Sequence, residues 1–298
     1  MNILFHTGVG NKDRPERWSG ICNFFSNLAR VFESLGHDCV VYCHPRAISG
    51  NIYNKHIVSE KVSSINYNPD VIFTWNGMSE GDKEMVKKYG RDKFIFGELG
   101  FLNHYDTCYF DRSGTNARCS ILAQNFNGEV DDTFYESIVS KYKKPKIFEG
   151  RYVFVPLQDE KDTQISMLSP FSTMYDLLEY VLDLYSYDKD IKILFKQHPH
   201  SRSRIPTNKK LKEVSGDVHH FLPYAEKVVG INSTVLTECL LYHNRLLAVG
   251  LGLPSRKFIN DQERKLFIIK CCNMEIPQSK LSDVKFIKDS YLIKELLK

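Results

Sequence analysis

The first 43 residues of the chain are MNILFHTGVGNKDRPERWSGICNFFSNLARVFESLGHDCVVYC, and they decide the fold class. The apolar run at 2–7 predicts a buried strand. Over 21–35, apolar residues recur at helical spacing, and Gly36 ends the helix. A second apolar run follows at 39–43. A strand, a helix and a strand in this order predict a βαβ unit with parallel strands and a right-handed crossover.

The same alternation continues along the chain. It predicts strands at 70–75, 94–96, 152–157, 191–195, 228–231 and 246–249, and helices at 79–89, 172–185, 234–242 and 290–297. The segment 103–128 lacks periodicity and predicts irregular loop, and the charged segment 141–146 predicts a linker.

We therefore predict an α/β fold with two Rossmann-like domains that face each other across a cleft. The expected domains are 1–147 and 148–298, with the last helix packing back on the first domain. A ligand is expected at the carboxyl ends of the strands.

The composition is that of a globular protein. Of 298 residues, 42% are hydrophobic and 12% aromatic, and the mean hydropathy is −0.33. No apolar run approaches the ~20 residues of a transmembrane helix. The N-terminal residues lack the pattern of a signal peptide, so we expect a cytoplasmic protein. The eight cysteines form no CxxC pair, which indicates reduced, mainly structural thiols.

The net charge of +4 is too small to indicate a nucleic-acid partner. The local distribution is more uneven, because residues 189–214 hold eight Lys or Arg against two acidic residues. Such a cluster is commonly a solvated face. An anion site is the alternative.

Two glycines, Gly8 and Gly10, follow the first predicted strand. Small residues there let the backbone turn tightly and let a phosphate or an acceptor approach the amide groups. The spacing matches neither GxGxxG nor GxxxxGK[ST], so a simple turn is the alternative.

Polar residues also follow the predicted strand at 228–231. Ser233 is a natural N-cap, and Asn232 and Thr234 flank it at a helix start that suits a phosphate. Glu238 lies one turn further, where a carboxylate can accept hydrogen bonds from ribose hydroxyls. Helix capping alone, and a surface position for Glu238, are the alternatives.

The segment Lys196-Gln-His198-Pro199 comes just after another predicted strand. Pro199 restricts the backbone beside His198, and Lys196 adds positive charge, so His198 is a candidate phosphate contact. A structural histidine is the alternative. His198 and His200 lack an evident third metal ligand, so we predict no metal site.

Two acidic loops complete the candidates. One runs from Gln158 to Asp162, and the other places Glu98 between Gly97 and Gly100. Acidic loops are commonly solvated turns. Near a glycosidic centre, however, carboxylates can serve as nucleophile or as general acid and base.

In this order, the segments resemble the capsule polysaccharide biosynthesis family, which includes bacterial Kdo transferases of the two-Rossmann (GT-B) architecture. The matching segments are 75–77, 98–101, 111–114, 156–162, 196–199 and 232–238, which contain Asn76, Glu98, Gln158, Asp162, His198 and Glu238. The resemblance implies that Asp162 is the catalytic aspartate, with Asp159 as the alternative in the same loop. It also implies that Glu98 and His198 are catalytic. Family members often continue with Arg-Ser where this chain has Leu102-Asn103.

The resemblance implies a glycosyltransferase that needs no cofactor or metal and uses a nucleotide-activated sugar, either a CMP-Kdo-like or a UDP- or GDP-linked donor. The second half would bind this donor through Lys196, Pro199, Asn232, Ser233, Thr234, Glu238 and Gln158. The first half would bind a capsule or surface glycan near Gly8, Gly10 and Asn76, and peripheral contact with a membrane is compatible with this. Two alternatives stay open: a phage-type DNA glycosyltransferase acting on a hydroxylated base, and a catalytically silent nucleotide-binding subunit.

Overall fold

The computed structural model describes residues 1–7, 15–43, 45, 52–59, 61–199 and 201–297. The predicted glycine loop at Gly8 and Gly10 lies outside these residues, as does His200.

The strands are β1 (Asn2–His6), β2 (Asp38–Cys43), β3 (His56–Val58), β4 (Val71–Trp75), β5 (Phe94–Leu99), β6 (Thr107–Asp111), β7 (Tyr152–Pro156), β8 (Lys192–Lys196), β9 (Leu211–Glu213), β10 (Lys227–Gly230), β11 (Leu246–Ala248) and β12 (Ile276–Pro277). The α-helices are α1 (Pro15–Ser34), α2 (Glu80–Tyr89), α3 (Asp132–Tyr142), α4 (Thr163–Leu168), α5 (Met174–Leu184), α6 (Thr234–Cys239), α7 (Asp261–Met274) and α8 (Val284–Asp289).

The chain forms two compact units. Unit 1 contains Met1–Ser120 and Asn273–Lys298, and unit 2 contains Ile121–Cys272. The division therefore falls before the boundary that the sequence predicts at residue 147. The reason is α3, because the Tyr135 hydroxyl donates to the Leu241 carbonyl and accepts from the Arg264 guanidinium at 2.6 Å. These buried contacts tie α3 to the rest of unit 2.

Unit 1 is built on a seven-stranded sheet in the order β12-β6-β5-β4-β1-β2-β3. The strands from β5 to β3 in this order are parallel, whereas β6 pairs antiparallel with β5 and β12 pairs antiparallel with β6. Side chains alternate between the two faces. Ile3 and Phe5 pack in the cluster that includes α1, and Leu4 packs with Met85 of α2 on the other face.

Unit 2 is built on a five-stranded parallel sheet in the order β11-β10-β7-β8-β9. Helices pack on both faces of this sheet as well. Val153 and Val155 pack with α5, and Tyr152 and Phe154 pack on the side of α6. The predicted α/β class with two Rossmann-like sheets is confirmed.

One local prediction is wrong, and one helix was not predicted. The segment 103–128 was predicted to be loop, but its residues Thr107–Asp111 form a fully buried strand, β6. The turn residues on both sides hide this short strand from a periodicity argument. Helix α7 was missed because its apolar residues are not gathered on one face. The predicted C-terminal helix at 290–297 is present as a π-helix over Leu292–Leu296.

The C-terminal segment is fastened to unit 1 by specific polar contacts. The Tyr291 hydroxyl accepts from the Phe110 amide at 2.5 Å and donates to the Phe110 carbonyl at 3.1 Å. Glu275 Oε1 accepts from the Leu102 amide at 2.7 Å. Burial raises the pKa of the Glu275 carboxyl, although hydrogen bonds from the backbone of residues 101–103 oppose the shift. Glu275 thus fixes the loop that follows Glu98.

We predict that Gly100→Ala destabilises the protein by about 1–3 kcal/mol. A Cβ atom at Gly100 would overlap Thr107 Oγ1 and approach Glu275 Oε1 to 2.7 Å. Gly20→Ala is the matched control, because a Cβ there meets nothing within 4 Å. Within a helix, this control should gain roughly 0.5–1 kcal/mol. Urea unfolding of both variants measures the difference, and equal stabilities would contradict the close approach.

Candidate active site

The parallel strands of unit 2 bring the polar motifs to one edge. Pro156 at the end of β7 lies opposite Lys196 at the end of β8, and Gly230 of β10 lies opposite Ala248 of β11. Because the carboxyl ends of parallel strands meet at the same edge, the segments 157–162, 197–199, 231–234 and 249–252 all leave the sheet there. Motifs that are far apart in sequence therefore share one edge.

At this edge, Gln158 and Asn232 form a reciprocal pair. Gln158 Nε2 donates to the side-chain oxygen Oδ1 of Asn232 at 2.9 Å, and Gln158 Oε1 accepts from the backbone N–H of Asn232 at 3.1 Å. The pair bridges β7 and β10, between which the strand order reverses. Open α/β sheets bind ligands in the crevice at such a switch point. Two predicted donor-binding residues are thus in direct contact where a ligand crevice is expected.

The loop after β11 also contacts this pair, which the sequence did not indicate. Asn232 Nδ2 donates to the Leu251 carbonyl at 3.1 Å, and the Gly250 amide donates to the Ile231 carbonyl at 3.1 Å. A Cβ atom at Gly252 would lie only 3.0 Å from Asn232 Cβ. The closely spaced glycines are the signal that could have identified this approach.

Ser233 caps α6 as predicted, because its side chain accepts from the Val235 amide at 3.3 Å. Thr234 is the first residue of this six-residue helix. Glu238 is largely buried, and its Oε2 lies 3.6 Å from His219 Nε2. Burial lowers the pKa of the His219 imidazole. Glu238 therefore lies against a buried histidine and not on an open helix surface.

Gln197, next to His198, is a residue whose importance the sequence did not reveal. It is 9% exposed. Its Oε1 accepts from the Ser203 amide at 3.1 Å, and its Nε2 donates to the Ser203 carbonyl at 3.3 Å. This contact closes the loop that carries His198, which is half-buried, and Pro199, which is exposed. Lys196 is the last residue of β8.

Asp162 is exposed and directly precedes α4. The Asp162 amide donates to the Asp159 carbonyl at 2.9 Å, and the Asp162 carbonyl accepts from the Ile165 amide at 3.0 Å. The loop is anchored at Glu160, whose Oε1 accepts from the Met174 amide at 2.7 Å. The Asp162 side chain thus stands on a fixed turn after β7.

In unit 1, Asn76 directly follows β4, whereas Glu98 lies within the neighbouring strand β5, opposite Tyr109 of β6, and not in the loop that the sequence predicted. The Asn76 amide donates to the Gly97 carbonyl at 2.9 Å, and Glu98 Oε1 accepts from the Leu99 amide at 3.0 Å. Asn76 has a φ of 39°, which asparagine tolerates better than most residues. The Asp111 side chain has a structural role, because its carboxylate accepts from the amides of Ser113 and Ser120 at 2.7 and 3.0 Å.

Several side chains of the basic segment 189–214 stabilise unit 2 itself. Lys210 Nζ donates to the carbonyls of Tyr185 and Asp188 at 2.6 and 2.8 Å, at the end of α5. Arg204 lies over the Tyr175 ring, and Lys212 lies over the Phe148 ring. The charge of this segment is therefore partly explained by internal contacts.

Two searches were confined to the described residues. In that part of the chain, no three His, Cys, Asp or Glu side chains are grouped so that they could hold a metal ion. Nor is any helix within it long and apolar enough to cross a membrane.

The family described as capsule polysaccharide biosynthesis protein matches residues 123–282, which is more than half of the chain. The chain belongs to this family. The match includes the whole edge of unit 2 that carries Gln158, His198 and Asn232. No curated protein sequence matches the chain significantly.

Two solved structures share the fold. The KpsC β-Kdo 2,7 transferase of Thermosulfurimonas dismutans is 15% identical, with a TM-score of 0.53 over 96% of this chain and 100% of that one. The KpsC β-Kdo 2,4 transferase of the same organism is 14% identical, with a TM-score of 0.54 over 90% of this chain and 89% of that one.

The reciprocal pair should be energetically coupled. Gln158→Ala leaves the Asn232 amide without its acceptor, and we expect a loss of about 1–3 kcal/mol. In the double variant Gln158→Ala/Asn232→Ala, the loss of unfolding free energy should be smaller than the sum of the losses in the two single variants, by about 0.5–3 kcal/mol. Urea unfolding measures this cycle. Gln278→Ala, in unit 1, is the control and should be additive with Asn232→Ala.

A second prediction concerns acid stability. Burial lowers the pKa of His243 to about 4, and its Nε2 donates to the Leu222 carbonyl at 2.8 Å. The unfolded chain takes up this proton near pH 6.5, so the contribution is complete above that pH and is lost as the pH falls. Between about pH 7.5 and about pH 5 the loss should be about 2 kcal/mol. His243→Gln keeps a donor towards Leu222 but cannot take up the proton, so its unfolding free energy should change less over this pH range. If the variant and the unchanged protein show the same pH dependence, the assignment is contradicted.

Proposed function

We propose that this protein is a glycosyltransferase of capsule polysaccharide synthesis that transfers a sugar from a nucleotide-activated donor to a glycan. The observation that carries the proposal is the Gln158–Asn232 pair at the switch point of unit 2. The pair supports the proposal because the segments of Asp162, His198 and Ser233 leave the same edge of the sheet, where a ligand crevice is expected. Family membership and the shared fold of the Kdo transferases support the same conclusion.

In this proposal the donor nucleotide binds at the edge of unit 2. The hydroxyls of Ser233 and Thr234, the imidazole of His198 and the ammonium of Lys196 contact its phosphate. Gln158, Asn232 and Pro199 shape the crevice, and Glu238 accepts from a ribose hydroxyl. Because protein cations and hydrogen-bond donors neutralise the leaving phosphate, the proposal includes neither metal nor cofactor. The donor we expect first is a CMP-activated Kdo-like sugar, with UDP- or GDP-linked sugars as alternatives.

The chemistry we propose is a double displacement. Asp162 Oδ attacks the anomeric carbon, and the bond from that carbon to the phosphate oxygen breaks, so its electron pair leaves with the nucleotide. An acceptor hydroxyl then attacks the same carbon and releases Asp162, while Glu98 takes up the hydroxyl proton. Two displacements retain the anomeric configuration. The acceptor we propose is a glycan, bound by unit 1 near Asn76. The comparisons give no support to a DNA acceptor.

Nucleotide binding gives the first test. At 100 times its dissociation constant, the correct nucleotide should stabilise the protein by about 2.7 kcal/mol. Thermal unfolding with CMP, UDP, GDP and ADP measures this, and a shift with CMP alone indicates the Kdo-like donor. Ser233→Ala should reduce the shift. The control is Thr173→Ala, which removes the N-cap of α5 in the same unit and should leave the shift unchanged. An equal loss in both variants would place the nucleotide elsewhere.

The proposed nucleophile gives the second test. Asp162→Asn should lower turnover at least about a thousand-fold because an amide is a poor nucleophile, while the nucleotide shift persists. Asp159→Asn changes a carboxylate in the same loop and should stay within about tenfold of the unchanged protein. Near-normal turnover by the Asp162 variant would exclude this role. If the unchanged protein binds nucleotide but never transfers sugar, the silent-subunit alternative holds.

A further inference from the structure

Unit 1 has a switch point of its own. Strand β1 lies between β2 on one side and β4 on the other, and all three are parallel. His6 is the last residue of β1 and lies opposite Thr74 of β4. The His6 side chain is fully buried. It therefore occupies the same topological position in unit 1 as the Gln158–Asn232 pair occupies in unit 2.

A polar network fixes the His6 ring. His6 Nδ1 lies 3.1 Å from Asp82 Oδ1 and 3.0 Å from Thr74 Oγ1. The Thr74 hydroxyl donates to Asp82 Oδ1. Since that hydroxyl proton is committed, both partners present only oxygen lone pairs to Nδ1, so Nδ1 carries the proton and donates. In the neutral ring, Nε2 is then a bare acceptor.

The carboxylate is equally well held. Asp82 Oδ2 accepts from the Ser79 amide at 2.9 Å and from the Ser79 hydroxyl at 2.6 Å, in the capping box of α2. Burial acts to raise the pKa of Asp82, but the contacts with His6, Ser79 and Thr74 hold it below its usual value. The buried carboxylate thus stays ionised. One oxygen serves the helix cap, and the other orients the imidazole.

The ring cannot easily turn away from this arrangement. The Tyr42 ring stacks on the His6 ring, with 5.3 Å between centroids and 14° between planes. The Tyr42 hydroxyl donates to the Ser59 carbonyl at 2.8 Å and so is not turned to His6. Burial raises the pKa of this hydroxyl to about 12, so it stays neutral.

The second ring nitrogen of His6, Nε2, differs from Nδ1. It is buried, and among the described residues it has no hydrogen-bond partner. The next residue repeats the pattern, since Thr7 Oγ1 is likewise buried and lacks a partner in the described parts of the chain. A buried polar atom without a partner costs about 1–3 kcal/mol. Two such atoms thus lie on consecutive residues at the switch point of unit 1.

We propose that His6 is an acceptor-binding residue, whose Nε2 accepts a hydrogen bond from a hydroxyl of the acceptor sugar. The chemistry of the site selects this ligand. With Nδ1 donating to the Asp82 side, Nε2 of the neutral ring offers only a lone pair, which accepts from an O–H donor and not from a deprotonated carboxylate or phosphate. The hydroxyl groups of a glycan are such donors. The inference rests on the proposed function and names the residue that recognises its acceptor.

The test observes the ring nitrogens directly by NMR of the full chain labelled with ¹⁵N-histidine. His6→Gln, or His6→Asn if the first variant does not fold, assigns the His6 signals. The probes are methyl glycosides of a neutral hexose, of an N-acetylhexosamine and of Kdo. In the free protein, we expect Nδ1 to be protonated and Nε2 bare. One of the glycosides should shift Nε2 saturably towards the hydrogen-bonded value.

Two variants separate positioning from folding. Asp82→Asn removes the charge that fixes the tautomer, and it should weaken the glycoside response at least tenfold. Ser79→Ala loosens the cap on the other carboxylate oxygen but leaves the contact with His6, so its response should match that of the unchanged protein. An equal weakening in both variants would mean that Asp82 acts only through the helix cap.

The remaining outcomes are also decisive. An Nε2 that is already hydrogen-bonded in the free protein, and that no glycoside moves, holds a bound water and overturns the inference. An Nε2 that is bare but unmoved by every glycoside overturns it as well. Nucleotide binding is measured in the same samples. A glycoside response without any nucleotide response refutes the proposed transferase and leaves the hydroxyl site standing, whereas the reverse result refutes only the site.

Discussion

The reciprocal hydrogen bonds between Gln158 and Asn232 are the interaction on which the site of unit 2 depends. Strands β7 and β10 pair at Lys227–Val153 and Val228–Phe154, and after the two strands the chain passes to opposite faces of the sheet. Side chains must therefore span the gap, and a pair of amides does so with both groups donating and accepting. Asn232 also holds the loop after β11 through the Leu251 carbonyl. One pair thus sets the positions of three loops.

Different side chains bridge the switch point in the two units. In unit 2 the switch point is bridged by Gln158 and Asn232, which bond to each other. In unit 1 it is bridged by His6, Thr74 and Asp82, and within the described parts of the chain His6 Nε2 has no hydrogen-bond partner. A closed amide pair suits a scaffold beneath a charged nucleotide. An oriented imidazole with a bare nitrogen suits recognition of a hydroxyl group.

Sequence periodicity predicted the fold where strands are buried on both faces. β1, β4 and β7 are mainly apolar, and Ser233 carries a recognisable capping signal. The pattern failed at β6, which is short and flanked by turns, and at α7, which lacks an apolar face.

The site was predictable only in part. Gln158, His198 and Ser233 follow predicted strands, so their common edge could be anticipated from parallel pairing alone. The role of His6 could not, although it stands in the stretch that decides the fold. Its partner Asp82 lies far along the chain, and only tertiary structure shows that Nε2 finds no hydrogen-bond partner among the residues that the structure describes. Gln197 and Glu275 were missed for the same reason.

The central claim is that the carboxyl edge of the five-stranded sheet binds the donor nucleotide, and a crystal structure with CMP tests it most directly. We predict that the phosphate lies within hydrogen-bonding distance of Ser233 and His198, with the Gln158–Asn232 pair intact beneath it. A nucleotide bound away from this edge, with these side chains uninvolved, would contradict the account.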